Sequence, residues 1–225
     1  MSAAVRGRAK GGWVPFALIA LGAIPVVAGT LRLSELAGAP PILPFNPRIA
    51  ASPLPAVIHV ASAIPYLLLG AFQFSSALRL RWPGWHLRAG QVLLVLGLAV
   101  ALSALWMTLV YPQEAGTGVL HYVFRLVFGS AMAACLILGM VTVQRHDFAE
   151  HRAWMIRAYA LAAGAGTQVF TQGVTETFFN DTALSRGLAL GAGWAINLTV
   201  AEYLIARSRP NSSNRPRSTA SAIGA

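Results

Sequence analysis

The chain has 225 residues, of which 56% are hydrophobic and only 11% are charged, with a mean hydropathy of +0.61. A soluble domain carries about a quarter charged residues, so this composition excludes one and points to a multi-pass membrane protein. The formal net charge of +10 does not mark a nucleic-acid binder, because the arginines are spread over short segments between apolar runs, as membrane topology requires.

The apolar segments are continuous rather than alternating, which excludes a membrane barrel and leaves an all-α bundle. Residues 1–11 form a basic N-terminal segment, and residues 12–206 carry six predicted transmembrane helices: roughly 12–30, 53–75, 84–111, 118–143, 148–178 and 186–206. Each approaches or exceeds the about twenty residues that cross a bilayer. Helices two to five are expected to form a four-helix core. The proline-rich stretch LRLSELAGAPPILPFNPRIAASP, between the first two, is expected to cap the outer face. The polar, low-complexity tail 207–225 is expected to be disordered.

Basic residues set the orientation. Twelve fall on one side: Arg6, Arg8, Lys10, Arg79, Arg81, Arg88, Arg145, Arg152, Arg207, Arg209, Arg215 and Arg217. Only Arg32, Arg48 and Arg186 face them. Both termini are therefore expected in the cytoplasm of a cell's inner (plasma) membrane, with an uncleaved first helix. Cys135, the only cysteine, sits in an apolar run and reads as packing.

Helix starts follow from local chemistry. Ser52 before Pro53 reads as a cap and first helical residue. Pro83 opens the third helix, Thr117 caps the fourth, and Asp147 with Glu150 has capping-box spacing at the fifth. From these starts the histidines fall into levels. His59 lies seven residues past Ser52 and His121 four past Thr117, both near the outer face. His86 lies three past Pro83 and His151 four past Asp147, both near the inner face. The levels are on the order of 15–20 Å apart.

One histidine per helix, paired by leaflet, is the layout that gives two haem irons two axial imidazoles each. The same residues also read as an interfacial collar or as buried, hydrogen-bonded histidines. A third reading places a single inner haem or metal at His86 and His151. His146 precedes the cap and reads as surface.

Arg125 lies one turn past His121 on the same helix face. It has two candidate partners: a haem propionate, or Glu176 as a structural ion pair. Arg157 and Glu202 make a second candidate pair. Thr167, Gln168, Thr171 and Gln172 form a polar stripe that reads as an interhelical hydrogen-bond ladder before it reads as a quinone pocket. Ala163, Gly164 and Gly166 permit close approach of a helix or a flat cofactor.

Two stretches, FQFSSALRLRWPGWHLRAGQV (72–92) and EHRAWMIRAYAL (150–161), resemble the bacterial membrane protein family called domain of unknown function 2306. Gln73, Phe74, Arg79, Arg81, Pro83, His86 and Gly90 fit its first block, and His151, Arg152, Trp154, Met155, Ile156, Arg157, Tyr159 and Ala160 its second. Leu87 and Ala158 depart from it. The resemblance implies a membrane bundle and no reaction. The histidine layout is also similar to the six-helix, ascorbate-linked di-haem cytochrome b family. That likeness implies an outer haem b on His59 and His121 and an inner one on His86 and His151. The lysine and arginine motifs of that family are not evident here. The expected function is transmembrane electron transfer between a reductant and an acceptor such as a quinone. The alternative is a small-solute transporter or assembly factor with structural histidines.

Overall fold

The computed structural model describes residues 12–208. The basic segment 1–11 and nearly all of the expected disordered tail lie outside them. Among the described residues there are eight helices and no strand: α1 (Val14–Leu36), α2 (Pro47–Ala51), α3 (Pro53–Gln73), α4 (Ser76–Arg81), α5 (Pro83–Val110), α6 (Val119–Gln144), α7 (Phe148–Phe178) and α8 (Ala183–Ser208). All six expected spans are thus long helices. Five of them, α1, α3, α5, α6 and α8, are long and apolar enough to cross a membrane. Helix α7 is long but carries more polar side chains.

Several boundaries move. α1 continues to Leu36, because Arg32 and Glu35, read as loop residues, close an ion pair one turn apart at 2.7 Å. Glu35 also accepts from the backbone N–H groups of Ile42 and Leu43, both at 2.6 Å, and so pins the proline-rich loop. The fourth long helix is preceded by Gly118 rather than Thr117, whose hydroxyl donates to the Glu114 carbonyl instead of capping. Ser52 stands at the cap position of α3 without a side-chain cap bond, and Pro53 opens the helix. Asp147 caps α7 as its spacing predicts, accepting from the N–H of Glu150 at 3.1 Å.

The α6–α7 turn is closed by His146, whose φ of 59° is left-handed. Its N–H reaches the Val143 carbonyl, and the next N–H, from Asp147, reaches Thr142. This is a Schellman stop with histidine where glycine is usual. His146 is solvent-exposed, as expected.

The hydrophobic core is built from α3, α5, α6 and α7. Tyr66, Leu67 and Ala71 meet Leu93, Val100 and Ala101; Met132, Cys135 and Leu136; and Ala158, Tyr159, Leu161 and Ala163. α1 packs on α3 and α7, and α8 on α6 and α7. The outside is apolar: Val95, Leu102 and Ile137 are each more than half exposed, the surface a lipid solvent demands.

Charge divides between the two ends. At one end three arginines have an acid: Arg32 with Glu35, Arg48 with Glu114 at 2.6 Å, and Arg186 with Asp181. At the other, Arg79, Arg81, Arg88, Arg145, Arg152 and Arg207 make no ion pair among the described residues.

Gly166 shows how tightly α7 meets α1: a methyl there would strike the Leu21 carbonyl group, which is backbone and cannot swing away. Gly166→Ala is expected to destabilise the protein by about 1–3 kcal/mol, read from thermal unfolding in detergent. Gly173→Ala, on the same helix but facing open space, is expected to be neutral or slightly stabilising.

Candidate functional site

The bundle holds a partly open cavity of about 440 Å³ in the half where α3 and α6 begin. That volume lies within the range of small-molecule and cofactor sites. Its walls are apolar, with Ile64, Phe128 and Trp194 among them, and its polar groups are few: His59, His121, Arg125, Gln168 and Gln172 converge on it. The structure therefore brings together the three residues assigned to the outer site, from α3 and α6.

The imidazole nitrogens are arranged alike at both ends. His59 Nδ1 lies 3.1 Å from the Val100 carbonyl oxygen and 3.1 Å from Ser103 Oγ on α5. A carbonyl only accepts, so Nδ1 carries the proton and Nε2 keeps a lone pair. His151 Nδ1 lies 2.7 Å from the Gly139 carbonyl oxygen on α6, with the same consequence. The other member of each pair differs. His121 Nδ1 and His86 Nδ1 are buried without any hydrogen-bond partner.

His86 and His151 are each the fourth residue of their helices, α5 and α7, and lie within electrostatic reach of one another. Gln73, the last residue of α3, adds a buried, unpartnered Nε2. His59 and His121 are the seventh and third residues of α3 and α6.

Arg125 is half-buried and forms no ion pair among the described residues. The structural alternative, a pair with Glu176, is not made; Glu176 is exposed. The charges that act on Arg125 are instead those of Arg48 and Glu114, themselves paired at the outer end. The second candidate pair does form. Arg157 grips Glu202 with two bonds, Nε to Oε1 at 2.5 Å and Nη2 to Oε2 at 2.9 Å, while its guanidinium lies 4.7 Å from the centre of the Trp154 ring.

The polar stripe of α7 is mainly the expected ladder. Thr167 donates to Asn197 at 2.8 Å, Gln168 to the Leu190 carbonyl at 3.1 Å, and Thr171 to the Ala189 carbonyl at 2.7 Å, all on α8. Gly164 sits under the Trp194 ring and Gly166 under α1, so these small residues admit helices, not a flat cofactor. Gln172 lines the cavity and makes no rung.

Sequence reasoning missed Ser103 and Thr108, buried at 3% and 7% exposure. Ser103 supports His59, and Thr108 lines the cavity. A hydroxyl within an otherwise apolar span was the available signal, but it names no partner.

The resembled motifs meet in space. Phe74 of the first packs edge-on against Tyr159 of the second, 5.0 Å between ring centres. The Tyr159 hydroxyl donates to the Leu67 carbonyl at 2.8 Å, and Met155 fills the space at Gly139. Much of this conservative-looking chemistry is thus helix packing.

Fold and site together define a helical membrane protein whose bundle holds histidines and an arginine around an internal cavity. The chain belongs to the family described as predicted membrane protein (DUF2306), which matches residues 56–205. No curated protein and no solved structure matches it. Among the described residues no group of three or more His, Cys, Asp or Glu side chains gathers as a metal site; bis-histidine haem ligation needs only two.

The Arg157–Glu202 pair has an 18% exposed cation and a 53% exposed anion. A double-mutant cycle with Arg157→Gln and Glu202→Gln is therefore expected to give a solvent-screened coupling of about 0.5–1 kcal/mol. Unfolding free energies of the four proteins measure it.

Proposed function

We propose that this protein is an integral membrane b-type haem protein that carries electrons across the bilayer between a reductant and an acceptor. His59 and His121 would hold an outer haem in the cavity, and His86 and His151 an inner one. The observation that carries the reading is the nitrogen pattern. Each pair has one imidazole fixed by an Nδ1–H bond to a backbone carbonyl, the usual orientation device of a metal-bound histidine. Each also has one imidazole with a buried Nδ1 that no protein group satisfies, a costly state that a group bound at that atom would relieve.

The cavity favours the outer site in particular. Arg125 lines it uncompensated and would take a propionate carboxylate in a bidentate grip. Gln73 would serve the inner site as a hydrogen-bond donor. A haem bound there supplies one-electron chemistry at its iron. The chain's own part is to fix the imidazoles, exclude water with apolar walls, and balance charge. A quinone is a suitable acceptor chemistry for such a protein.

In this reading α7 is a sixth crossing, its polar side chains turned to α8 and the cavity rather than to lipid. Both termini are cytoplasmic, because unpaired arginines gather at the end holding His86 and His151. The membrane is the cell's inner one. A transporter is less favoured, since α1 and α3 run unbroken through Pro25 and Pro65, whereas transporter sites usually break their helices.

Protein purified after expression with ample haem is expected to show sharp reduced α and Soret bands with dithionite, at about two haems per chain by pyridine assay. His59→Ala and His121→Ala should each remove one spectral species, and His86→Ala and His151→Ala the other. His146→Gly should leave both intact. A colourless protein that takes up no added haem would sink the proposal; loss of one common species from all four variants would reduce it to a single site.

A further inference from the structure

The run LRLRWPGWHLR, residues 78–88, contributes His86 to the proposed inner site, but most of it is left over. Its remaining side chains build a groove on the outside of the bundle. This groove, about 600 Å³, lies where α4 turns into α5 and is lined by Arg81, Trp82, Trp85 and Arg88. One turn deeper along the helices its wall becomes apolar, with Leu69, Ala89 and Val92. Trp82, Leu69 and Val92 are 57%, 43% and 54% exposed, so no described residue covers it.

The charge of the groove has no answer among the described residues. Arg81 and Arg88 make no ion pair among the described residues. No acidic residue occurs anywhere between Glu35 and Glu114, the stretch that supplies α2 to α5. The first turn of α5 has no side-chain cap, which adds a smaller positive field at the same place.

We infer that this groove binds an anionic phospholipid. Its phosphate would sit between the Arg81 and Arg88 guanidiniums, which suit phosphate oxygens. Trp82 and Trp85 flank the headgroup at the depth where indoles favour the interface, and an acyl chain lies along Leu69, Ala89 and Val92. The apolar continuation selects a lipid over a free phosphate. The uncompensated positive charge selects an anionic headgroup over a zwitterionic one. The site stands apart from the haem proposal.

The test uses full-length protein in mild detergent, with bound phosphatidylglycerol counted by native mass spectrometry and Tm followed during lipid addition. Phosphatidylglycerol is expected to bind and raise Tm. Phosphatidylcholine and glycerol phosphate are expected to do neither. Arg81→Gln/Arg88→Gln should weaken phosphatidylglycerol binding roughly tenfold or more, while Arg145→Gln/Arg152→Gln, at the same end but outside the groove, keeps it. If the first double variant is not recovered folded, Arg81→Gln and Arg88→Gln singly should each lose about fivefold. Equal binding by the groove variants and the parent overturns the proposal, and so does an equal response to phosphatidylcholine or to glycerol phosphate.

Discussion

A polar group carried into an apolar bundle leaves its water behind, and the bundle must replace that water with a partner or leave the group unsatisfied at a cost of kilocalories. Most of this structure can be read as the settlement of that demand. Thr167, Gln168 and Thr171 of α7 find acceptors on α8. Trp194 and Asn197 of α8 answer by donating to the Leu161 and Ala160 carbonyls at 3.1 Å each. The Tyr159 hydroxyl finds Leu67 across the core, and Arg157 finds Glu202. The two helices with the most polar side chains thus hold one another.

The same demand isolates the exceptions. Among the described residues the buried side-chain atoms without a partner are Gln73 Nε2, His86 Nδ1 and His121 Nδ1, and Arg125 lines a cavity and makes no ion pair. They fall at the two ends of the bundle rather than at random, and each unpartnered imidazole is matched by one whose Nδ1 is fixed by a neighbouring carbonyl. A polar collar would place these nitrogens in water or on lipid headgroups. Their burial, and the cavity between His59 and His121, are what set the haem proposal above that reading. The arginines follow a separate logic. Arg32, Arg48 and Arg186 at one end are neutralised one by one, while Arg79, Arg81, Arg88, Arg145, Arg152 and Arg207 at the other make no ion pair among the described residues. That asymmetry is what supports the proposed orientation and, at Arg81 and Arg88, the proposed lipid site.

Much of the architecture was legible beforehand because it rests on local rules. Continuous apolar runs gave the six long helices, Pro53 and Pro83 gave two starts, and Asp147 with Glu150 gave a third. The errors were local as well. Thr117 bonds back to Glu114 instead of capping, and the end of α1 was set by Arg32, Glu35 and their hold on the loop, a contact eight residues ahead. The polar content of α7 was visible, and an interhelical ladder was expected because threonine and glutamine at helical spacing need acceptors; that the acceptors lie on α8 was not legible.

By itself the sequence determined that the chain is helical and membrane-bound, which residues are histidine and arginine, and in which helix turn each stands. Composition and period suffice for that, since backbone hydrogen bonds within a helix need no other part of the chain. Only the tertiary structure decided which polar groups find partners. It gave His59 the Val100 carbonyl 41 residues away, denied Arg125 the candidate Glu176, and set Gly166 against the Leu21 backbone rather than a cofactor. Those outcomes depend on how each helix is rotated about its axis. Rotation is fixed by the packing of Tyr66, Leu136 and Tyr159 in one shared core, a property of all the helices at once and of no segment alone.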